Sequence, residues 1–243
     1  MIKGVLFDLG GTLVSYSNVE TVIETILTET KQRGLTKLSI EQLKIFYKRA
    51  RIEVTENYIS KRFYLHENLF LDTFKKFTEG ASIDADKEFF KWVMERHEFL
   101  LIQSFKLIKN AQKTLIDLNK KNFMIGIVSN IDQSMLEQIL INTKIKHLVN
   151  FGLSSESAQS CKPDGKIFEI AKRKTGLKKS ELLFIGDSIE HDIFGSSKYG
   201  IQNVLFSEKN ITAPLETGKH YEEPDFSIAD LSELCDLILE LNR

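Results

Sequence analysis

The chain has 243 residues, 42% hydrophobic and 28% charged, which suits one large domain or a core with a smaller insertion. Its 33 Lys+Arg and 34 Asp+Glu leave a formal net charge of -1, which excludes the basic footprint of a nucleic-acid binder or a polybasic membrane anchor. The two cysteines, Cys161 and Cys235, lie far apart without metal-ligand spacing and fit a reduced intracellular protein.

The first apolar run, residues 2–7, has strand length and ends on a carboxylate, Asp8, within VLFDLGGTLV. It is too short for a signal-peptide core, and no later run approaches the length of a membrane span. The expectation is a soluble cytoplasmic protein. From about residue 18 to residue 106 no strand pattern occurs. Stripes such as Leu69, Phe70, Phe74 and Phe77 predict helices packed on one another, with Phe89, Phe90 and Trp92 in their core. Strand-length runs then return at residues 123–128, 150–153, 182–185, 203–206 and, more weakly, 225–228. Between them, apolar residues at three- and four-residue spacing predict helices at 111–119, 133–141, 166–175 and 231–241. Strands alternating with helices give an α/β fold: a doubly wound, parallel-sheet core with helices on both faces. The domain expectation is a core of residues 1–16 and 107–243, and an all-helical second domain of residues 17–106 inserted after the first strand.

Two phosphate-handling designs begin with a strand followed by Asp-x-Gly-Gly-Thr. In sugar kinases of the actin-like fold the loop joins two strands of a hairpin, and a glycine-rich adenosine loop comes later. Here helix follows by about Asn18 and no glycine-rich loop appears. The other design places acidic and cationic groups at the ends of later parallel strands. The second long run ends in Val128-Ser129-Asn130; Lys162-Pro163 lies ahead of a helix; and LLFIGDSIEHD carries Asp187 at a strand end with Asp192 five residues on. Loops at the carboxyl ends of strands in an open α/β sheet share one crevice, so Asp8, Ser129, Lys162 and Asp187 should converge.

These four motifs, in this order from residue 2 to residue 200, resemble the haloacid dehalogenase superfamily, and the helical insertion resembles its first-position cap. The resemblance implies a Mg²⁺-dependent hydrolase, a phosphatase of a small phosphorylated metabolite. Asp8 is the implied nucleophile, forming an aspartyl-phosphate. Lys162 offsets charge on nucleophile and phosphate. Ser129 and the backbone N–H groups of Leu9, Gly10 and Gly11 hold phosphate oxygens. The implied metal set is Asp8, the Gly10 carbonyl and Asp187, with Asp192 orienting the site. Asn130 either contacts substrate or caps the helix beginning near Asp132. His191, beside Ser188, reads as a helix-start residue. Cys161 reads as a packed thiol, because a cysteine phosphatase needs an arginine where this chain has Ile167.

The departure from the phosphatase pattern is Gly10. The superfamily's phosphatases carry there a second aspartate that protonates the leaving group and later activates water. Its loss removes acid–base help typically worth about 10²–10⁴-fold. Three readings follow. One is a phosphatase with a substitute acid or a leaving group that needs none. Another is a different bond, as in metal-free haloacid dehalogenases or in phosphonoacetaldehyde hydrolases, whose cap lysine could here be Lys44 or Lys48. The third is a non-hydrolytic relative binding phosphate or a partner. In the cap, Arg51, Tyr58, Arg62, Tyr64 and His66 are candidates for reading the substrate.

Overall fold

The computed structural model describes residues 1–207, 218 and 220–243. The chain forms two compact units, Met1–Tyr16 with Lys106–Arg243, and Ser17–Phe105. In chain order come strands β1 (Gly4–Phe7) and β2 (Val14–Ser15), then helices α1 (Val19–Gln32), α2 (Ile40–Ile59), α3 (His66–Gly80) and α4 (Lys87–Ser104). Strand β3 (Lys106–Leu107), α5 (Ala111–Lys120), β4 (Met124–Ser129) and α6 (Gln133–Asn142) follow. Next are β5 (Phe151–Ser154), α7 (Ser155–Ala158), α8 (Gly165–Thr175) and β6 (Leu182–Gly186). The chain continues through α9 (Phe194–Tyr199), β7 (Gln202–Phe206), β8 (Phe226–Ile228) and α10 (Leu234–Leu241).

The first unit is built on a six-stranded parallel sheet of order β5-β4-β1-β6-β7-β8. Every residue of β1 and β6 is buried, as expected of parallel strands covered on both faces. This is why their sequences read as unbroken apolar runs. On one face Phe168 of α8 meets Phe184 of β6 edge-on, with ring centroids 5.2 Å apart, in a cluster with Leu6, Val128 and Leu153. Both rings are fully buried, each contributing about 1.5–3 kcal/mol of transfer free energy. Strand order reverses at β1: the chain builds outward to β4 and β5, then returns to β6 on the other side. The carboxyl ends of β4, β1 and β6 are therefore neighbours at the switch point.

The periodicity missed the short elements, among them α7, α9 and one strand pair. Val14–Ser15 is a strand, pairing antiparallel with Lys106–Leu107 in a two-stranded sheet of its own. Two residues are too few to show alternation. The pair sets Ser15 opposite Lys106, so the chain leaves this unit and re-enters it side by side. The expected helix at 231–241 begins as a 3₁₀ turn, Leu231–Glu233, capped by Asp230 and Glu233.

The second unit, Ser17–Phe105, is all helical. Ser39 and Gln42 form a reciprocal capping box that starts α2, and the Asp86 carboxylate caps α4 through the Phe89 N–H. Its core joins Ile26, Leu27, Leu43, Tyr47, Phe74, Phe77, Phe89 and Val93. Glu29 of α1 accepts three hydrogen bonds of 2.6–3.2 Å from Arg96 of α4. His97 is buried against Phe70 and Phe74, and burial pulls its pKa down to about 4. Among the described residues, no helix is long and apolar enough to cross a membrane.

Candidate active site

Asp8 follows β1 directly, and its N–H donates to the Ile185 carbonyl of β6 at 2.8 Å. That bond holds it at the carboxyl end of the sheet, between Ser129, the last residue of β4, and Asp187, just past β6. Lys162 reaches the same place from the loop between α7 and α8. Its ammonium donates to Asp8 Oδ1 and Asp192 Oδ1, both at 2.6 Å, with all three residues at most 5% exposed. Burial alone would lower the lysine pKa. The carboxylates of Asp192 and Asp8 override that and raise it above its ordinary value.

Asp192 arrives by an unusual local path. After Gly186 the chain makes one π-helical turn, Ile189–Ile193, begun by Ser188, whose hydroxyl accepts from the His191 N–H at 3.0 Å. The turn swings Asp192 back onto the end of β6, where it accepts from the Ser188 N–H at 3.1 Å. A Cβ on Gly186 would overlap the Asp192 carboxylate, so only glycine fits there. His191 lies in the middle of this turn rather than at a helix start; Cys161 is buried and Ile167 fully so.

The three carboxylates of Asp8, Asp187 and Asp192 can each bring an oxygen within 4.8 Å of the others. One lysine faces them, leaving excess negative charge. Burial raises the Asp187 pKa well above the usual carboxylate range, reinforced by Asp8 and Asp192 against the pull of Lys162. Burial, opposed by Lys162, pushes Asp192 up to about 6. A crowded, all-oxygen, electron-rich set fits a hard divalent cation.

The glycine loop departs from expectation in two ways. The Gly11 N–H donates to the Val14 carbonyl at 2.7 Å, closing the turn. It is therefore committed to the loop rather than to a phosphate. Gly11 adopts φ +74°, and a Cβ there would overlap the Asp187 carboxylate. Its glycine identity serves the turn and the close approach of Asp187. Gly10, by contrast, does not occupy the left-handed region. A Cβ on it would overlap the Tyr16 hydroxyl, with Tyr16 Cζ at 2.7 Å and Cε1 at 2.9 Å. Position 10 lacks a side chain where Tyr16 fills the space.

Asn130 does not cap the following helix, whose N-cap is Asp132. Its amide clamps the lysine loop at two points: Nδ2 donates to the Lys162 carbonyl at 2.9 Å, and Oδ1 accepts from the Lys162 N–H at 2.7 Å. Tyr16 and this clamp are what the sequence reading missed. An aromatic six residues after a missing side chain, on a loop that turns back within four residues, was the available signal for Tyr16. The phenol pKa is raised well above its ordinary value, by burial first and then by the charges of Asp187, Asp8 and Asp192.

In the helical unit three of the candidate cap residues, Tyr58, Tyr64 and His66, pack on one another. Tyr58 donates to Asp72 at 2.6 Å and meets Tyr64 edge-on at 5.4 Å; His66 is buried 5.0 Å from Tyr64. Lys44 pairs with Glu24 at 2.9 Å, while Lys48, Arg51 and Arg62 are exposed.

Residues 2–198 match the model of the haloacid dehalogenase-like hydrolase family. The ribulose-1,5-bisphosphate 5-phosphatase of Halopiger xanaduensis is 24% identical over 98% of this chain and 100% of its own length. The glyceraldehyde 3-phosphate phosphatase of Methanopyrus kandleri is 27% identical over the full length of both. Among solved structures, the HAD-hydrolase YfnB of Bacillus subtilis, bound to magnesium, superposes with a TM-score of 0.78 at 18% identity, covering 98% of this chain and 99% of its own. The parallel sheet with its carboxylates at the switch point, together with a family match over most of the sequence, gives one conclusion: this chain belongs to the haloacid dehalogenase-like hydrolases.

Proposed function

We propose that the protein is a Mg²⁺-dependent phosphatase of a small phosphorylated metabolite, working through an aspartyl-phosphate on Asp8. The single observation that carries this is the Lys162 ammonium bonded to Asp8 and Asp192 while Asp187 brings an oxygen within 4.8 Å of theirs. A site for a dianionic substrate needs this: a nucleophilic carboxylate held by a cation, and further carboxylates to hold a metal. Asp8, Asp187 and Asp192 would hold Mg²⁺ with the Gly10 carbonyl. Bound there, the ion supplies charge neutralisation for the phosphoryl group.

The chain's own residues do the rest. An Asp8 oxygen attacks phosphorus and the ester P–O bond breaks, its electron pair leaving with the alcohol oxygen. Water then attacks the phosphoryl group of the intermediate and regenerates Asp8. Lys162 holds and orients the Asp8 carboxylate, and Ser129 at the end of β4 takes a phosphate oxygen. The Asn130 clamp fixes the lysine loop. Sugar phosphatases among the relatives support a small-metabolite substrate. The surplus of carboxylates favours a metal-dependent phosphatase over a metal-free dehalogenase. We read residues 17–105 as the substrate-selecting cap, supported by entry and exit through the paired β2 and β3.

The test is phosphate release from a panel of phosphate esters with Mg²⁺ and with chelator, wild type beside Asp8→Asn. Metal-dependent release lost in the variant is expected. Release of halide from 2-haloacids in chelator would replace this reading with the dehalogenase one.

A further inference from the structure

The side chain absent at Gly10 and the phenol of Tyr16 compete for one space. The Tyr16 ring lies beside the nucleophile loop, with Cε1 2.9 Å from an ideal Cβ on Gly10 and Cε2 2.9 Å from one on Gly11. Its hydroxyl falls where a position-10 side chain would begin, two residues after Asp8. The ring and the Asp187 carboxylate both approach the Gly11 Cβ position, the ring within 2.9 Å of it and the carboxylate closer still. Gly10 itself has an ordinary backbone, so the obstacle to a side chain there is Tyr16 and not the fold of the loop. The loop thus carries a polar hydrogen-bonding group at this place, delivered from position 16.

We propose that the Tyr16 hydroxyl serves as hydrogen-bond donor to the leaving oxygen of the phosphate ester in this site. The proposal rests on the phosphatase reading above. As Asp8 forms its bond to phosphorus, the P–O bond to the leaving group breaks and its electron pair stays on the leaving oxygen. The Tyr16 O–H stabilises that charge and keeps its own proton; the leaving oxygen is protonated by water. The residue therefore assists departure without acting as a base for the second step. The substrate class follows: esters whose leaving group is stable with a hydrogen bond alone, aryl and acyl phosphates ahead of simple alkyl phosphates.

The experiment compares wild type, Tyr16→Phe, Gly10→Asp and the double variant Gly10→Asp/Tyr16→Ala on nitrophenyl, phenyl and alkyl phosphates, with melting temperatures of all four. Losing one hydrogen bond to a charged oxygen corresponds to roughly 10- to 100-fold in rate. Tyr16→Phe is expected to lose that much more on alkyl than on nitrophenyl phosphate, steepening the dependence of rate on leaving-group basicity. Gly10→Asp alone is expected to melt lower than wild type because of the clash. The double variant is expected to recover both the melting temperature and alkyl phosphate turnover. A leaving-group dependence in Tyr16→Phe identical to wild type would overturn the proposal alone, leaving Tyr16 as a space-filler. A wild type that releases phosphate from no ester would overturn the phosphatase reading and this proposal with it.

Discussion

Mg²⁺ is expected to stabilise this protein more as pH rises, and the structure sets the size of the effect. Asp192 is buried and its pKa is pushed from 3.8 to about 6. Below about pH 4 it is protonated in both the folded and unfolded chain, and its burial costs nothing. Between about pH 4 and 6 the unfolded chain ionises it while the folded chain resists, because burial, with Asp8 beside it, disfavours the charge. Stability is lost across that window. The separation from 3.8 to about 6 corresponds to about 3 kcal/mol. Asp187 is shifted in the same direction and adds to the loss. A divalent cation binds the ionised carboxylates and expels the shared protons, so its affinity grows through the same window. The gain tracks the ionised fraction of folded Asp192, about 10-fold smaller near pH 5 than near pH 7.5 or about 1.4 kcal/mol, so at roughly 2–4 °C per kcal/mol it should be about 3–6 °C larger near pH 7.5. The assay is thermal unfolding at several pH values with excess Mg²⁺ and with chelator. Buried His97, held near 4, loses stability as pH falls from 6.5, the opposite slope, but it cancels in the difference between the two conditions. A Mg²⁺ gain equal at all pH values, or larger in acid, would refute the reasoning.

Lys162→Met removes the cation between two buried carboxylates, and should cost about 3–5 kcal/mol of stability along with activity, read by denaturant unfolding. Asn130→Ala breaks both bonds to the Lys162 backbone and should cost about 1–3 kcal/mol, with a melting temperature equal to wild type counting against the clamp. His97→Phe should abolish the acid-side loss of stability between about pH 6.5 and 4, which differential unfolding of the two proteins would reveal. Replacing residues 17–105 by a short Gly-Ser bridge should leave a core that folds, because β2 and β3 already hold the two cut ends as paired neighbours; circular dichroism and altered substrate preference are the readouts.

The sheet was legible because parallel strands buried on both faces leave continuous runs such as LLFI, and the flanking helices keep their apolar spacing. The convergence of Asp8 and Asp187 was legible from their strand-end positions, since topology carries those ends together, while Lys162 comes in from the loop between α7 and α8. What escaped depends on how loops fold back. The β2–β3 pair joins residues separated by a whole helical unit, two on each side, too short for any period. The π-helical turn that aims Asp192 leaves no mark in residue spacing. Asn130 looked like a helix cap because its tie to Lys162 spans 32 residues. Gly10 read as a missing acid, and the tyrosine six residues on that fills the space of its absent side chain is brought there only by the closed turn from Leu9 to Val14.

The most direct test of the central claim is to look for the covalent intermediate. Wild type mixed with Mg²⁺ and an aryl phosphate, quenched in acid and mapped by peptide mass spectrometry, should carry a phosphoryl group on Asp8. Asp8→Asn should carry none and lose about 10⁴-fold or more in phosphate release. Phosphate release from Asp8→Asn at the wild-type rate, or a phosphoryl group on any other residue, would contradict it.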